Sequence, residues 1–277
     1  KYSRKPWFGC ACCPSNVSRF IPSLPGYVYA VKDNQVYVNL YLSNKAELIV
    51  NKKKVVLEQE TGYPWNGDIR VKVAQGNQEF ALKLRIPGWV RDEVLPSDLY
   101  SYADNQKPTY RIIVNGQETA NTLNNGYLSI ERKWKKGDVV KIHFDMLPRI
   151  VKANEKVVDD KGRVSVERGP IVYCAEWPDN KCNVHTVLLN QHPQFKVVEK
   201  PELLYGISQL KTDAQALSYD KNGKLITKDT ELTLIPYYAW AHRGEGDMEV
   251  WLPIDVSAAS ALPQEVQKWE DNGFFKN

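Results

Sequence analysis

Cys10, Cys12 and Cys13 fall within four positions of one another in Trp7-Phe8-Gly9-Cys10-Ala11-Cys12-Cys13-Pro14, the densest group of reactive side chains in the sequence. Thiolates are nucleophiles and bind zinc tightly, and a bound zinc in turn lowers the pKa of a thiol. A Cys-Cys pair can therefore donate two ligands from neighbouring positions while other parts of a protein complete a tetrahedron. The stretch lacks the two-residue spacer and the distant second pair of a zinc ribbon, and three thiols this close do not easily surround one ion alone. Buried cysteines, or a strained vicinal disulfide, are the alternative use of the same residues. The total of five cysteines is odd, and Cys174 and Cys182 stand apart, which is not the even spread of a secreted disulfide scaffold.

The remaining chemistry-bearing residues are scattered. Of His143, His185, His192 and His242, only His185 has a ligand-like neighbour, the loosely spaced Cys182, and each is expected as an ordinary surface or core residue. Asp220-Lys221-Asn222-Gly223 has no Glu at the twelfth position of a calcium loop and reads as a turn. Gly244-Glu245-Gly246-Asp247 is not followed by Lys-Ser or Lys-Thr, so it is no phosphate cradle. Carboxylates are plentiful, yet no pair is marked out as flanking one substrate, as an ordinary glycosidase requires. Pro236-Tyr237-Tyr238-Ala239-Trp240 and Tyr63-Pro64-Trp65 offer flat faces to sugar rings, although such residues more often plug the core or ends of a β-sandwich.

The elements that must position these residues are strands. Eight Trp and fifteen Tyr beside two Met describe a rigid, β-rich composition, and 43% hydrophobic with 25% charged residues excludes disorder and collagen. Val36, Val38, Leu40 and Leu42 alternate with Tyr37, Asn39 and Tyr41, which predicts one half-buried strand over 36–42. Phe80, Leu82, Leu84 and Ile86 alternate in the same way before Pro87-Gly88 stops the strand. Arg111-Ile112-Ile113-Val114 runs into Asn115-Gly116, a tight turn, and Lys136-Gly137-Asp138 makes another before Val140, Ile142 and Phe144. Further strands are predicted around Val164–Glu167, Ile171–Cys174, Leu232–Leu234 and Met248–Leu252, with a polar, turn-rich stretch over 176–230. Helical periodicity is nearly absent. The best candidate starts at Asn16 as N-cap and is confined to a turn or two by Pro22 and Pro25; the polar tail after Pro263 has room for one short helix.

These patterns predict an all-β chain of two antiparallel, jelly-roll-like β-sandwich domains, 26–147 and 148–277, preceded by a short segment 1–25 carrying the Cys motif. The 277 residues accommodate about two domains at roughly 150 residues each. A net charge of +4 spread over this length gives no reason to expect nucleic acid as a partner, and no run of about 18 apolar residues marks a membrane span. An opening of Lys1-Tyr2-Ser3 without Met is expected of part of a longer protein.

Read in order, the motifs carry a resemblance. Trp7 to Arg19 is similar to the Gly-Cys-x-Cys-Cys-Pro-x-Asn-x-x-Arg signature of glycoside hydrolase family 127, the β-L-arabinofuranosidase family. Leu84-Arg85-Ile86-Pro87-Gly88-Trp89, Gly126-Tyr127 through Trp134 to Lys136-Gly137-Asp138, Arg168-Gly169-Pro170-Ile171-Val172-Tyr173, and Ile235 to Trp240 with Arg243-Gly244 follow in that family's order. The resemblance implies a retaining hydrolase in which a zinc-bound cysteine attacks the anomeric carbon of an L-arabinofuranosyl glycan and a glutamate serves as acid/base. Carried over, Cys12 is the nucleophile and a zinc ligand, Cys13 a second ligand, and Cys10 lies behind them. The same resemblance places the other ligands and the acid/base glutamate in an (α/α)6 barrel before this region, of which 1–25 would be the end. The chain alone is therefore expected to be inactive, with a weak or empty zinc site, and a homodimer through the sandwich domains is open to it. The alternative is a non-catalytic β-sandwich that binds carbohydrate or serves as a scaffold. The compartment is left open.

Overall fold

The computed structural model describes residues 4, 5, 7–119 and 122–259. The chain divides into two compact units, and neither is a single continuous segment: Lys5–Asp92 joins Lys107–Met146 in one, and Glu93–Gln106 joins the chain from Leu147 onward in the other. The expected helix in the tail after Pro263 lies outside the described residues.

The unit built from Lys5–Asp92 and Lys107–Met146 has two sheets. One orders its five strands as Tyr29–Lys32, Gln35–Val38, Asn77–Arg85, Tyr127–Lys135 and Leu123–Asn124. All its pairs are antiparallel except Gln35–Val38 against Asn77–Arg85, which run parallel. The other sheet is wholly antiparallel and orders Asn44–Val50, Lys53–Thr61, Asp68–Gln75, Val139–Phe144, Tyr110–Val114 and Gln117–Glu118. Alternation decides what is buried: Ile69, Val71 and Val73 on one strand, Val140, Ile142 and Phe144 on the next, Leu82 and Leu84 on the opposing sheet. Each such side chain stabilises the fold by roughly 1.5–3 kcal/mol through its removal from water. Trp134, fully buried, satisfies its indole by donating to the Phe80 carbonyl at 3.0 Å. Phe144 meets Tyr41, Tyr63 and Trp89 at ring-centroid distances of 5.7, 6.3 and 5.8 Å.

Asn115 and Gly116 take φ of 50° and 89°, the two positive values that the tight turn after Tyr110–Val114 demands. The strand expected over 36–42, in contrast, ends at Val38. The chain leaves one sheet there and enters the other at Asn44. Asn39 accepts a hydrogen bond from the Tyr127 hydroxyl at 2.7 Å, and the buried Tyr41 donates its own to the Arg85 carbonyl at 2.7 Å. These long-range bonds replace the ladder, so Leu42 is exposed despite its place in the alternating pattern.

The second unit is one branched, antiparallel sheet of ten strands. Its main path runs Val187–Leu189, Ile207–Tyr219, Leu225–Pro236, Ile171–Glu176, Arg163–Arg168, Pro148–Ala153 and Tyr100–Tyr102. Lys196–Lys200, Met248–Glu249 and Leu252–Pro253 pair off this path onto Ile207–Tyr219, Ile171–Glu176 and Arg163–Arg168. Val164, Val166, Tyr173, Leu210, Leu232 and Leu234 form its apolar core. Two features differ from the sequence reading. The stretch 176–230, read as polar and turn-rich, contains most of the longest hairpin; the turn at Asp220–Gly223 is where it was expected, but the distal strand residues 226–229 are all exposed and 227–229 are polar, which hides the strand pattern. Residues 93–106, assigned by sequence to the first sandwich, pair with the second unit because Arg149, only 3% exposed, requires a carboxylate. Asp104 supplies it, accepting from Arg149 Nε at 3.0 Å and from the Ile150 amide at 2.7 Å, while Tyr100–Tyr102 closes the sheet edge.

Candidate functional site: a three-thiol cluster at a helix start

The helix carrying the Cys motif spans Cys12–Ser23, beginning four residues before the expected cap. Ala11 occupies the N-cap without a side-chain bond, and Pro14 sits in the first turn, where its missing amide hydrogen costs nothing. Asn16 is not a cap: its amide donates to the Cys12 carbonyl at 2.9 Å and its oxygen accepts from Arg19 at 3.1 Å. Pro22 is held inside the last turn, so the helix is longer than the prolines suggested. None of its residues is buried; Val17, Phe20 and Ile21 are 43%, 59% and 58% exposed.

This turn geometry brings the three thiols together. Cys10 Sγ lies 3.2 Å from Cys12 Sγ and 3.3 Å from Cys13 Sγ, and all three sulfurs are within 4.8 Å of one another. Cys12 and Cys13 stand at the first two helical positions, where free amide hydrogens and the helix dipole favour negative charge. Hydrogen bonds from the Cys12 and Cys13 thiols hold Cys10 below the ordinary thiol pKa, and the same bond to Cys10 pushes Cys13 up. Zinc–sulfur bonds of about 2.3 Å put the sulfurs of a tetrahedral site about 3.8 Å apart. A small opening of these contacts would meet that spacing, so the donor set fits zinc, with Cys12, Cys13 and Cys10 all within reach. Among the described residues this is the one group of three or more Cys, His, Asp or Glu with a metal-like spacing. The resemblance put Cys10 behind the ligand pair; in the structure it is in contact with both.

The other candidates resolve into framework. Cys174 is buried, and burial, with Glu176 and Asp179 adding to it, pushes its thiol up to about 12. Cys182 is half-buried and packs against the apolar core of its unit. His185 meets Glu249 at 2.6 Å and Asp247 at 3.8 Å, and the hydrogen bond that its ring donates to Glu249 raises its pKa against the opposing effect of burial. Tyr63 packs into the Phe144 cluster, while Tyr237 stacks on Trp240 at 6.2 Å and 10° and is 44% exposed. Arg4 caps this pair, 5.9 Å over the Trp240 ring and hydrogen-bonded to the Trp240 and Tyr238 carbonyls at 2.6 and 2.9 Å. Sequence reasoning missed the network in which Arg243 donates to Glu176 and Asp179, since Arg243 is 64 or more positions from both partners and nothing local marks them.

Comparison with known proteins places this mostly antiparallel all-β chain in one family. Residues 35–146 match the family model described as "Beta-L-arabinofuranosidase, GH127 middle domain", and residues 148–253 match "Glycoside hydrolase family 127 C-terminal domain". The chain belongs to glycoside hydrolase family 127. It is 30% identical over 268 residues to a non-reducing end beta-L-arabinofuranosidase of Bifidobacterium longum subsp. longum, covering 90% of this chain and 38% of that protein. A solved GH127 beta-arabinofuranosidase is 81% identical, with a TM-score of 0.92 over 95% of this chain and 42% of its own. A GH127 beta-L-arabinofuranosidase from Geobacillus stearothermophilus T6 is 33% identical, with a TM-score of 0.78 over 91% of this chain and 39% of its own. The chain thus spans about two fifths of the length of these relatives.

Proposed function

We propose that the protein to which this chain belongs is a retaining glycoside hydrolase acting on a terminal L-arabinofuranosyl residue, with Cys12 as its nucleophile. The observation that carries the reading is the placement of Cys12 at the first helical position with two further sulfurs within 4.8 Å. Zinc bound by Cys12 and Cys13 would supply a stable thiolate at neutral pH, so that no adjacent base is needed. Cys12 Sγ then forms a bond to the anomeric carbon as the bond to the leaving oxygen breaks, and that oxygen takes a proton from an acid. Water next attacks the same carbon, gives its proton to the conjugate base, and releases Cys12, so two inversions leave the configuration retained.

No carboxylate joins the thiol group among the described residues. We therefore assign the acid/base and the remaining ligands to parts of the protein outside this chain, and the 277 residues alone should not turn over substrate and should hold zinc weakly. The test is a chromogenic L-arabinofuranoside. In the full-length enzyme Cys12→Ser should lower kcat/KM by about 10³ or more; wild-type activity in that variant would refute the nucleophile. Turnover by the isolated chain would refute the placement of the acid/base elsewhere.

A further inference from the structure

The six-stranded sheet of the first unit buries Leu57, Ile69, Val71, Ile112 and Ile142 on its inner face. Period-two alternation therefore turns Glu60, Arg70, Lys141, His143 and Arg111 outward. The register places Lys141 beside Arg70 and Ile113, and His143 beside Asp68 and Arg111. Together they line an open groove of about 460 Å³, within the range of small-ligand sites. No residue of the thiol cluster lines it.

The charges in this groove do not cancel. Glu60 is taken by Arg70 at 2.9 Å, and Asp68 by His143 Nδ1 at 2.7 Å, while His143 Nε2 lies 3.6 Å from Asp145. Arg111 and Lys141, both exposed, have no carboxylate at ion-pair distance among the described residues, and Arg111 acts on Asp145 only from longer range. They sit diagonally across neighbouring strands, about 7–8 Å apart at their roots, close enough for two long side chains to converge on one anion. Ile113, half-buried, stands opposite Lys141 and two residues from Arg111, an apolar surface next to two unpaired cations.

A uronic acid has that combination of features: a ring with an apolar C–H face and a single carboxylate at its edge. We propose that this groove binds an acidic oligosaccharide through a uronate residue, its carboxylate held by Arg111 and Lys141 and its ring laid against Ile113. The choice of a sugar over another organic anion rests on the glycosidase reading above; the choice of an acidic one rests on the two cations. Arg offers a paired donor fork to a carboxylate and Lys a point charge, so the contact is specific in charge but weak in solvent. Its use would be to tether the enzyme to an acidic polymer and raise the local concentration of the neutral side branches it cleaves.

The test is titration of this 277-residue chain with galacturonic acid trisaccharide, its methyl ester and free acetate at low ionic strength, followed by NMR or calorimetry. The acid form should bind with a dissociation constant on the order of 1 mM. The methyl ester, the same sugar without the charge, should bind about tenfold more weakly, as should the acid form to the double variant Arg111→Gln, Lys141→Gln. Both side chains are exposed, so the variant should keep its unfolding midpoint, which is measured alongside. Equal binding of ester and acid, no loss in the double variant, acetate matching the trisaccharide, or no binding at all would each overturn the proposal. Cys12→Ser should bind as the wild type does. Because the assay involves no turnover, its failure leaves the hydrolase reading standing, and a failed nucleophile test leaves this groove untouched.

Discussion

Two groups of ionisable side chains in this chain are built in opposite ways. Cys10, Cys12 and Cys13 are brought together by one turn of backbone, Cys10 and Cys12 are exposed, and they sit at the start of a helix that buries nothing. Arg243, Glu176 and Asp179 come from positions 64 and 67 apart, and their side chains are only 19%, 1% and 9% exposed. Every carboxylate of the second group is engaged: Glu176 also accepts from the Ala241 amide at 2.9 Å, and Asp179 from Gln209 at 3.2 Å. Buried charge is tolerated only when paired, so the second group is held in place by the same interactions that leave it nothing to react with. The thiols owe little to tertiary packing and remain open to an electrophile or a metal. In this protein the buried charges are locked into the framework, while the exposed thiols are left accessible.

The largest expected contrast is in thiol reactivity. At pH 8, Cys174, pushed up to about 12, is ionised in only about one molecule in 10⁴, and it lies out of solvent reach. Iodoacetamide should alkylate the exposed motif thiols at least about 10³-fold faster, read by mass spectrometry of the native chain. Labelling of Cys174 at a comparable rate would break the division between the two groups.

Next in size is the removal of a charge. Arg243→Met strands the Glu176 and Asp179 carboxylates, which should cost about 3–5 kcal/mol in urea unfolding of the chain. A loss below about 1 kcal/mol would show that the buried network is not held by its pairing. His185 tests the same principle through pH. Its hydrogen bond with Glu249 raises its pKa above the ordinary 6.5, so the stabilisation is complete below that value and lost as pH rises through the raised one. His185→Gln should be destabilised by about 1 kcal/mol more at pH 5.5 than at pH 9. The smallest effect belongs to the proposed nucleophile. Cys12→Ser should change folding stability by no more than about 0.5 kcal/mol, since the residue is exposed and lies on a helix with no buried residue. A large loss there would mean that the thiol cluster is structural after all.

Much of the fold was legible in the residues. Leu82 and Leu84 are buried on the strand that their alternation predicts, and Asn115-Gly116 makes the turn that its dipeptide demands. What was hidden depends on partners far away in sequence. Leu42 fits an alternating pattern and yet is exposed, because Tyr127 and Arg85 draw Asn39 and Tyr41 out of the ladder. Residues 93–106 read as part of the first sandwich, but Arg149 needs Asp104. The three cysteines were legible because they are neighbours in the chain, whereas the groove cations Arg111 and Lys141 are neighbours only through strand register.

The sequence by itself therefore determined the all-β class, the turns, and the juxtaposition of Cys10, Cys12 and Cys13, since each depends on residues within a few positions of one another. Only the tertiary structure decided which strands share a sheet, where the two units divide, and which charges are cancelled. Those outcomes follow from hydrogen-bond register and from the cost of leaving a buried group unpaired, and both quantities exist only once distant segments meet.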